Sequence, residues 1–432
     1  MLDLYLVTFN TGRALVDPEA LAPSFFNAIS KDAHIPDLVA VSLQELSPIA
    51  YSFLGGSYLK PYFDRITTTV RLAADRHSKG NEELEHVATR SLGMTGLMIF
   101  AKPNLVQRVQ YIQSAGAGVG FANMGNKGAV AMRIGLSCPD HSDTLNLTFA
   151  AAHLAPMESN IRARNKDWEN LVRNLVFVND DDSPYSATEE TPLLAPSPSA
   201  KSPADLNGLF SAGNHIFFYG DLNYRTKDTP PEEHDHLTYP QPTASETDPE
   251  HYLNLLEQDQ LTREKEAQRT LHGLQEMPIT FPPTYKLALP KDSSISTKRR
   301  SSSEDEENWN WSKHRYPSWC DRILFAQCGS GSKLEPQKYI ALPAQATSDH
   351  RPVAMSLRVS ETPVKPDMDA ESVEPPFPIN PRWRARRDAS RRWELIVGVL
   401  SYLTLTAKGN AILVAVLGTL FGSLFLASRL RR

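Results

Sequence analysis

Apolar runs that stop on a polar residue organise this chain. LDLYLVTFN ends on Asn10, DLVAVSLQE on Glu45 and LNLTFAAAH on His153. FFYGDLNYR runs apolar to a glycine and then presents Asp221, Asn223 and Arg225, while Asp349 and His350 precede the apolar RPVAMSLRV. Runs of this length, rich in β-branched and aromatic residues, predict strands. A strand is rigid, and polar groups at its end face solvent while the sheet holds them in place. Sites spread from position 10 to position 350 can converge only within one folded domain. Between Glu158 and Val178 the pattern is helical, with Arg164, Asn165 and Asp167 near its start.

Other stretches read differently. Residues 179–207 are rich in Asp, Ser and Pro, and residues 290–308 contain KRRSSSEDEEN. Both are expected to be disordered surface insertions, since they bury too little apolar area to offset their ordering entropy. The serines Ser301 to Ser303 follow a basic pair and are candidates for phosphorylation. Residues 361–394 read as a Pro-rich, then Arg-rich linker, and residues 395–407 as an apolar segment too short to span a bilayer. From Gly409 to Ala427 there are 19 residues without a charge. A helix of that length is roughly 28 Å long, close to the hydrocarbon thickness of a membrane, so 409–428 is expected to be a C-terminal transmembrane anchor.

Charge divides the chain at the same place. From residue 382 onward there are ten basic and two acidic residues, a charge of +8, which leaves −13 on the first 381 residues against −5 overall. An acidic globular part is poorly suited to non-specific nucleic-acid binding, so no nucleic-acid partner is expected. With 41% hydrophobic residues, it can bury a large core as a single α/β domain. Three cysteines, Cys138, Cys320 and Cys328, make neither a zinc pattern nor a disulfide framework. Together with the absence of an N-terminal signal sequence, they suit a reducing, cytosolic face.

Singly, the polar residues at the strand ends have ordinary structural readings as caps and turns. Their combination points to chemistry. Glu45, Asp221, Asp349 and the amides Asn10 and Asn223 offer hard oxygen ligands that suit magnesium, with His153 and His350 beside them and no Cys among them. Carboxylates, amides and imidazoles around one hard cation can direct water onto a phosphate ester.

The strings TFNTG, LQEL, GNKGAV, AAHLAP followed by RARNKDW, GDLNYR, PPTYK, PSWCDRIL and SDHRPV occur in the order found in inositol polyphosphate 5-phosphatases. The chain resembles that family, within the DNase I-like magnesium phosphoesterases, over about residues 1–360. The resemblance implies a four-layer α/β sandwich: two packed, mainly antiparallel sheets with helices outside. It makes Glu45 the principal magnesium ligand, with Asn10 and Asp349 in the coordination or water shell. Asp221, raised toward neutrality and helped by Asn223, would orient and deprotonate the attacking water. Asp321 would hold His350 in one tautomer, and His350 and His153 would face the scissile phosphate. Asn126, Lys127, Tyr285, Lys286, Lys313 and Arg315 would surround the substrate. The Tyr285–Lys286 pair and the basic residues before WCDR would hold the 4-phosphate. The stretch SAGAGVGFANM departs from the usual family wording and receives no role.

The implied activity is magnesium-dependent removal of the 5-phosphate from phosphatidylinositol 4,5-bisphosphate, with a phosphoinositide as substrate and a membrane as partner. An endonuclease or sphingomyelinase of the same fold, and an inactive phosphoinositide tether, are the alternatives. The layout of a catalytic domain followed by an anchor resembles fungal members of the family on the endoplasmic reticulum. Arg382, Arg384, Arg386, Arg387, Arg391 and Arg392 precede the anchor against Arg429, Arg431 and Arg432 after it, which favours a cytosolic catalytic domain. A monomer is expected.

Overall fold

The computed structural model describes residues 1–139, 141–179, 207–242, 245, 247–289, 309–365 and 375–430. The two expected insertions, with the Ser301–Ser303 candidates, fall almost wholly outside the described residues, as does part of the Pro-rich stretch at 366–374. Among the described residues the strands are β1 (Leu2–Asn10), β2 (Leu38–Gln44), β3 (Glu85–Leu92), β4 (Thr95–Ala101), β5 (Val109–Gly118), β6 (Gly128–Cys138), β7 (His141–His153), β8 (Val178–Asn179), β9 (Asn214–Asp221), β10 (Asp321–Cys328), β11 (Leu334–Ala341) and β12 (Val353–Val359). The helices of the domain are α1 (Pro18–Leu21), α2 (Ile49–Leu54), α3 (Lys60–Ser78), α4 (Pro103–Val106), α5 (Ile161–Asn174), α6 (Tyr252–Leu256) and α7 (Gln260–Glu266).

The strands form two six-stranded sheets, ordered β11-β12-β1-β2-β4-β3 and β10-β9-β7-β6-β5-β8. Alternation along each strand builds the layers, because successive side chains point to opposite faces. Leu4 and Leu6 of β1 pack between the sheets with Met132, Phe149, Phe217, Tyr219 and Ile323. Tyr5, Val7 and Phe9 point the other way, against Phe63, Ile66 and Val70 of α3. In the second sheet Ala150, Ala152 and Phe218 face Trp168 and Leu171 of α5. The small alanines leave room for the Trp168 ring, which meets Phe218 edge-on at 5.1 Å. This is the expected helix–sheet–sheet–helix sandwich.

Each sheet contains one parallel pair, β1 with β2 and β7 with β9, and the other pairings are antiparallel. Both parallel pairs end at the same edge of the sandwich. Register sets Asn10 beside Gln44, His153 beside Asp221, and Asp321 beside Asp221 from the antiparallel side. The chain crosses tightly there: a Cβ on Gly220 would stand 1.9 Å from the Ala152 carbonyl oxygen, so the strand that carries Asp221 requires glycine at that point.

Two expectations need correction. The helix expected over 158–178 is shorter, Ile161–Asn174, because Leu175 leaves helical geometry and Val178–Asn179 pairs with β5 instead. The Arg-rich residues 382–394 are not a linker, and 395–407 is not a separate segment: Trp383–Leu405 is one 23-residue helix, α8. Its buried positions Ser390, Glu394 and Gly398 lie on one face, and the domain covers that face. Thr406 is extended, and α9 (Ala407–Leu430) follows. Helix α9 is long and apolar enough to cross a membrane, with a mean hydropathy of 2.2 in a window where no residue is buried.

Candidate active site

A cleft of about 350 Å³ opens where the two parallel pairs end. Its lining includes Asn10, Arg13, Glu45, Lys127, His153, Asp221, Asn223, Arg225, Tyr285, Lys286, Asp349 and His350, so residues drawn from both sheets share one space.

Asp221 is the centre. It is 2% exposed. Its Oδ2 accepts from Asn10 Nδ2 at 2.9 Å and lies 3.2 Å from His153 Nε2, while its Oδ1 accepts the backbone N–H of Asn223 at 3.1 Å. Asn223 adopts a left-handed φ of +59° and is fixed by donating Nδ2 to the Leu154 carbonyl. Burial alone would raise the Asp221 carboxyl. The neighbouring His153, His350 and Lys127 outweigh it and hold the group well below the usual carboxylate range. This reverses the rise toward neutrality expected from the sequence, since the cations around Asp221 could not be counted before folding.

His350 stands on the other side of Asp221, its Nε2 3.9 Å from Asp221 Oδ2. Its Nδ1 is 2.9 Å from Asp321 Oδ2, which also accepts from Thr284 Oγ1 at 2.7 Å. Burial would push His350 down, but Asp321 and Asp221 overcome it and bring the imidazole up to about 9. Asp221, Asp321 and His350 lie close enough to share a metal ion. Asp321 fixes the His350 ring through Nδ1 and leaves Nε2 toward Asp221 and Asp349. His153 moves oppositely: burial and the adjacent Lys127 ammonium lower it.

Glu45 follows β2 with φ +45°, a conformation that costs a non-glycine residue about 1 kcal/mol or more. Hydrogen bonds over-determine it: its carbonyl accepts from Arg13 N–H and Thr11 Oγ1, and its Oε2 accepts from Arg13 Nε at 2.8 Å. Lys286 Nζ sits 2.7 Å from Asp349 Oδ2. The oxygen donors Glu45, Asp221, Asp349 and Asn10, with no thiol among the described residues that line the cleft, fit a hard divalent cation.

Three expected substrate residues are not among those lining the cleft. Lys313 is exposed. Arg315 donates to Met157 Sδ and lies 3.6 Å from Glu158. Asn126 has a buried Oδ1 without a hydrogen-bond partner. Conversely, Arg13 was not anticipated, though it stands three residues after Asn10. Arg225, visible in GDLNYR but given no role, lies over the Tyr285 ring at 4.2 Å from its centroid.

Comparison with known proteins bears on the family and the fold. The family profile described as Endonuclease/Exonuclease/phosphatase family 2 matches residues 7–356. Human phosphatidylinositol 3,4,5-trisphosphate 5-phosphatase 1 is 28% identical over 278 residues, covering 64% of this chain and 20% of that protein. The Saccharomyces cerevisiae polyphosphatidylinositol phosphatase INP53 is 28% identical over 331 residues, covering 76% of this chain and 24% of that protein. The chain thus spans a quarter or less of the length of these relatives. Among solved structures, the inositol polyphosphate 5-phosphatase domain of SPsynaptojanin, in complex with inositol (1,4)-bisphosphate and calcium ion, superposes with a TM-score of 0.55 at 20% identity, covering 93% of each chain. That likeness concerns the fold.

Proposed function

The chain belongs to the inositol polyphosphate 5-phosphatase family, and we propose that it hydrolyses the 5-phosphate of phosphatidylinositol 4,5-bisphosphate to phosphatidylinositol 4-phosphate and phosphate. The observation that carries this reading is the buried, ionised Asp221, held by Asn10 and Asn223 and flanked by both imidazoles at the floor of a cleft with cationic walls.

In this reading a water hydrogen-bonded to Asp221 attacks phosphorus while the bond to the inositol oxygen breaks. Asp221 orients the water and takes its proton, the departing inositol oxygen takes a proton from solvent, and the protonated His350, held by Asp321, lies toward the phosphoryl oxygens where charge accumulates. Lys127, Arg13 and Arg225 add fixed positive charge around the phosphate, the chief requirement of phosphoryl transfer. Glu45, with Asn10 and Asp349 beside it, would hold magnesium, which when bound neutralises charge on the phosphoryl oxygens. Lys286 and Tyr285, on the cleft rim, would take the 4-phosphate, and Lys313 and Arg315 would approach it from outside. Asn126, next to Lys127, keeps a place in the substrate wall as part of this proposal.

Helix α9 would anchor the domain as a monomer to the cytosolic face of a membrane, the endoplasmic reticulum in our reading. The arginines of α8 favour that side. The test is phosphate release by the full chain in micelles from short-chain phosphatidylinositol 4,5-bisphosphate, beside the same lipid without its 4-phosphate and an Asp221→Asn control. Turnover that needs Asp221 and falls without the 4-phosphate is expected. Binding without turnover would indicate a tether, and indifference to the 4-phosphate another hydrolase of this fold.

A further inference from the structure

Helix α8 lies against α2, the turn at Phe121–Asn123 and the Gly125 backbone. Ser390, Glu394 and Gly398 are buried at intervals of four. Tyr402 extends the stripe onto Tyr58, with ring centroids 5.5 Å apart. Residues four apart share a helix face, so the contact is continuous. At Gly398 a Cβ would come within 3.0 Å of Phe53 Cβ in α2, which sets how closely the helix lies. Arg391 Nη1 donates to the Phe53 carbonyl at 2.8 Å, and Arg386 donates to Asn123 Oδ1. The opposite face, with Trp393, Ile396, Val399 and Leu400, is exposed and leads on into α9.

Glu394 lies at the middle of the docked stripe and is 3% exposed. Its Oε1 accepts the Gly125 backbone N–H at 2.7 Å. The Gly125 carbonyl accepts from Met94 N–H at 3.0 Å, and the Met94 carbonyl accepts from Leu46 N–H at 3.1 Å. Gly125 stands two residues before Lys127, and Leu46 follows Glu45. One hydrogen bond therefore ties the helix to the segment that carries Lys127, and two more in series continue to Leu46, the neighbour of Glu45. The loop has no slack at this point: a Cβ on Gly125 would lie 2.9 Å from Leu92 Cγ and 3.0 Å from Gly93 N. A buried carboxylate that gives one oxygen to a backbone N–H 269 residues away in sequence, while the other accepts from Arg391 Nη1 at 3.3 Å on its own helix, is a specific fastening.

We propose that Glu394 is a positioning residue for the cleft, through which the helix leading into the membrane span completes the mounting of Lys127 and Glu45. Seating of α8 on the domain and competence of the site are then one event, and the anchor acts on turnover as well as on location. The kinetic part rests on the phosphatase reading above.

The test uses the full chain in detergent micelles with inositol 1,4,5-trisphosphate, a water-soluble substrate for which recruitment to a surface is irrelevant. For Glu394→Ala, kcat falls about tenfold while KM moves by less than about threefold. Amide exchange in peptides covering 118–127 accelerates. Glu394→Gln, whose amide oxygen still accepts from Gly125, stays close to wild type in both readouts. Gly398→Leu, which wedges the helix away from Phe53, reproduces the alanine variant with the carboxylate intact. Wild-type kcat in Glu394→Ala, or lost kcat with unchanged exchange at 118–127, overturns the proposal. If the wild-type chain releases no phosphate, the phosphatase reading fails and exchange alone decides: unchanged exchange refutes the fastening, and accelerated exchange supports it.

Discussion

Removing the carboxylate behind His350 should make turnover that is level across neutral pH depend on acid. An imidazole brought from 6.5 up to about 9 is almost fully protonated at pH 7.5, whereas at its ordinary value only about one in ten would be. That difference amounts to about 3 kcal/mol of preference for the charged ring. Asp321, at 2.9 Å, is the nearest source, and Asp221 and Asp349, at 3.9 and 4.0 Å, remain when it is gone. Asp321→Asn should therefore lower kcat/KM by about three- to tenfold at pH 7.5 and recover most of it near pH 6. Wild type should stay level until the pH approaches 9 and then decline. Stability must follow the same sign. A histidine whose folded pKa lies above its unfolded one contributes fully below about pH 6.5, and the contribution disappears as pH rises through about 9. Urea unfolding followed by tryptophan fluorescence should thus show wild type weakening over that window and the variant changing less. A variant with wild-type turnover at pH 7.5, or with a deficit equal at pH 6 and pH 7.5, would refute the argument.

Chelation of divalent cations should abolish phosphate release, and added magnesium should restore it; turnover that survives exhaustive chelation would remove Glu45 from its proposed role. Lys286→Ala should raise KM about tenfold for the 4-phosphorylated lipid and by less than about twofold for lipid lacking that phosphate, the loss expected of one charge-assisted hydrogen bond. Trp168→Ala empties a fully buried position beneath the alanines of the second sheet and should cost about 3–5 kcal/mol, read as a lower unfolding midpoint with kcat little altered in the folded fraction.

Strand ends were legible because they are local: Asn10, Glu45, His153, Asp221 and His350 each close or precede an apolar run, and strand register within each sheet together with the packing of the two sheets brings them into one cleft. Charge state was not legible. The depression of Asp221 depends on His153, His350 and Lys127, which lie 68, 129 and 94 residues from it in the chain, and no pattern along the sequence counts such neighbours. Arg13 was hidden for a related reason, since its role comes from the left-handed turn at Glu45 that meets it. The arginines of 382–394 looked like a solvated linker because their charge dominates the composition. The stripe Ser390–Glu394–Gly398 that seats the helix contains one glycine, one serine and one acid, an unusual core face that hydrophobic periodicity does not detect.

Strand β1 lies inside its sheet, between β2 and β12, and Ser348 Oγ bonds the Asn10 carbonyl across 338 residues of chain. On a ribosome, which adds roughly 5–20 residues per second, the first strand emerges roughly 20–70 s before its last neighbour exists. No shorter nascent chain can hold His350 against Asp221. A chain interrupted before that point therefore leaves β1 without its β12 partner and the cleft without His350. Synthesis itself sets the order of assembly: the cleft cannot close until nearly the whole domain has been made.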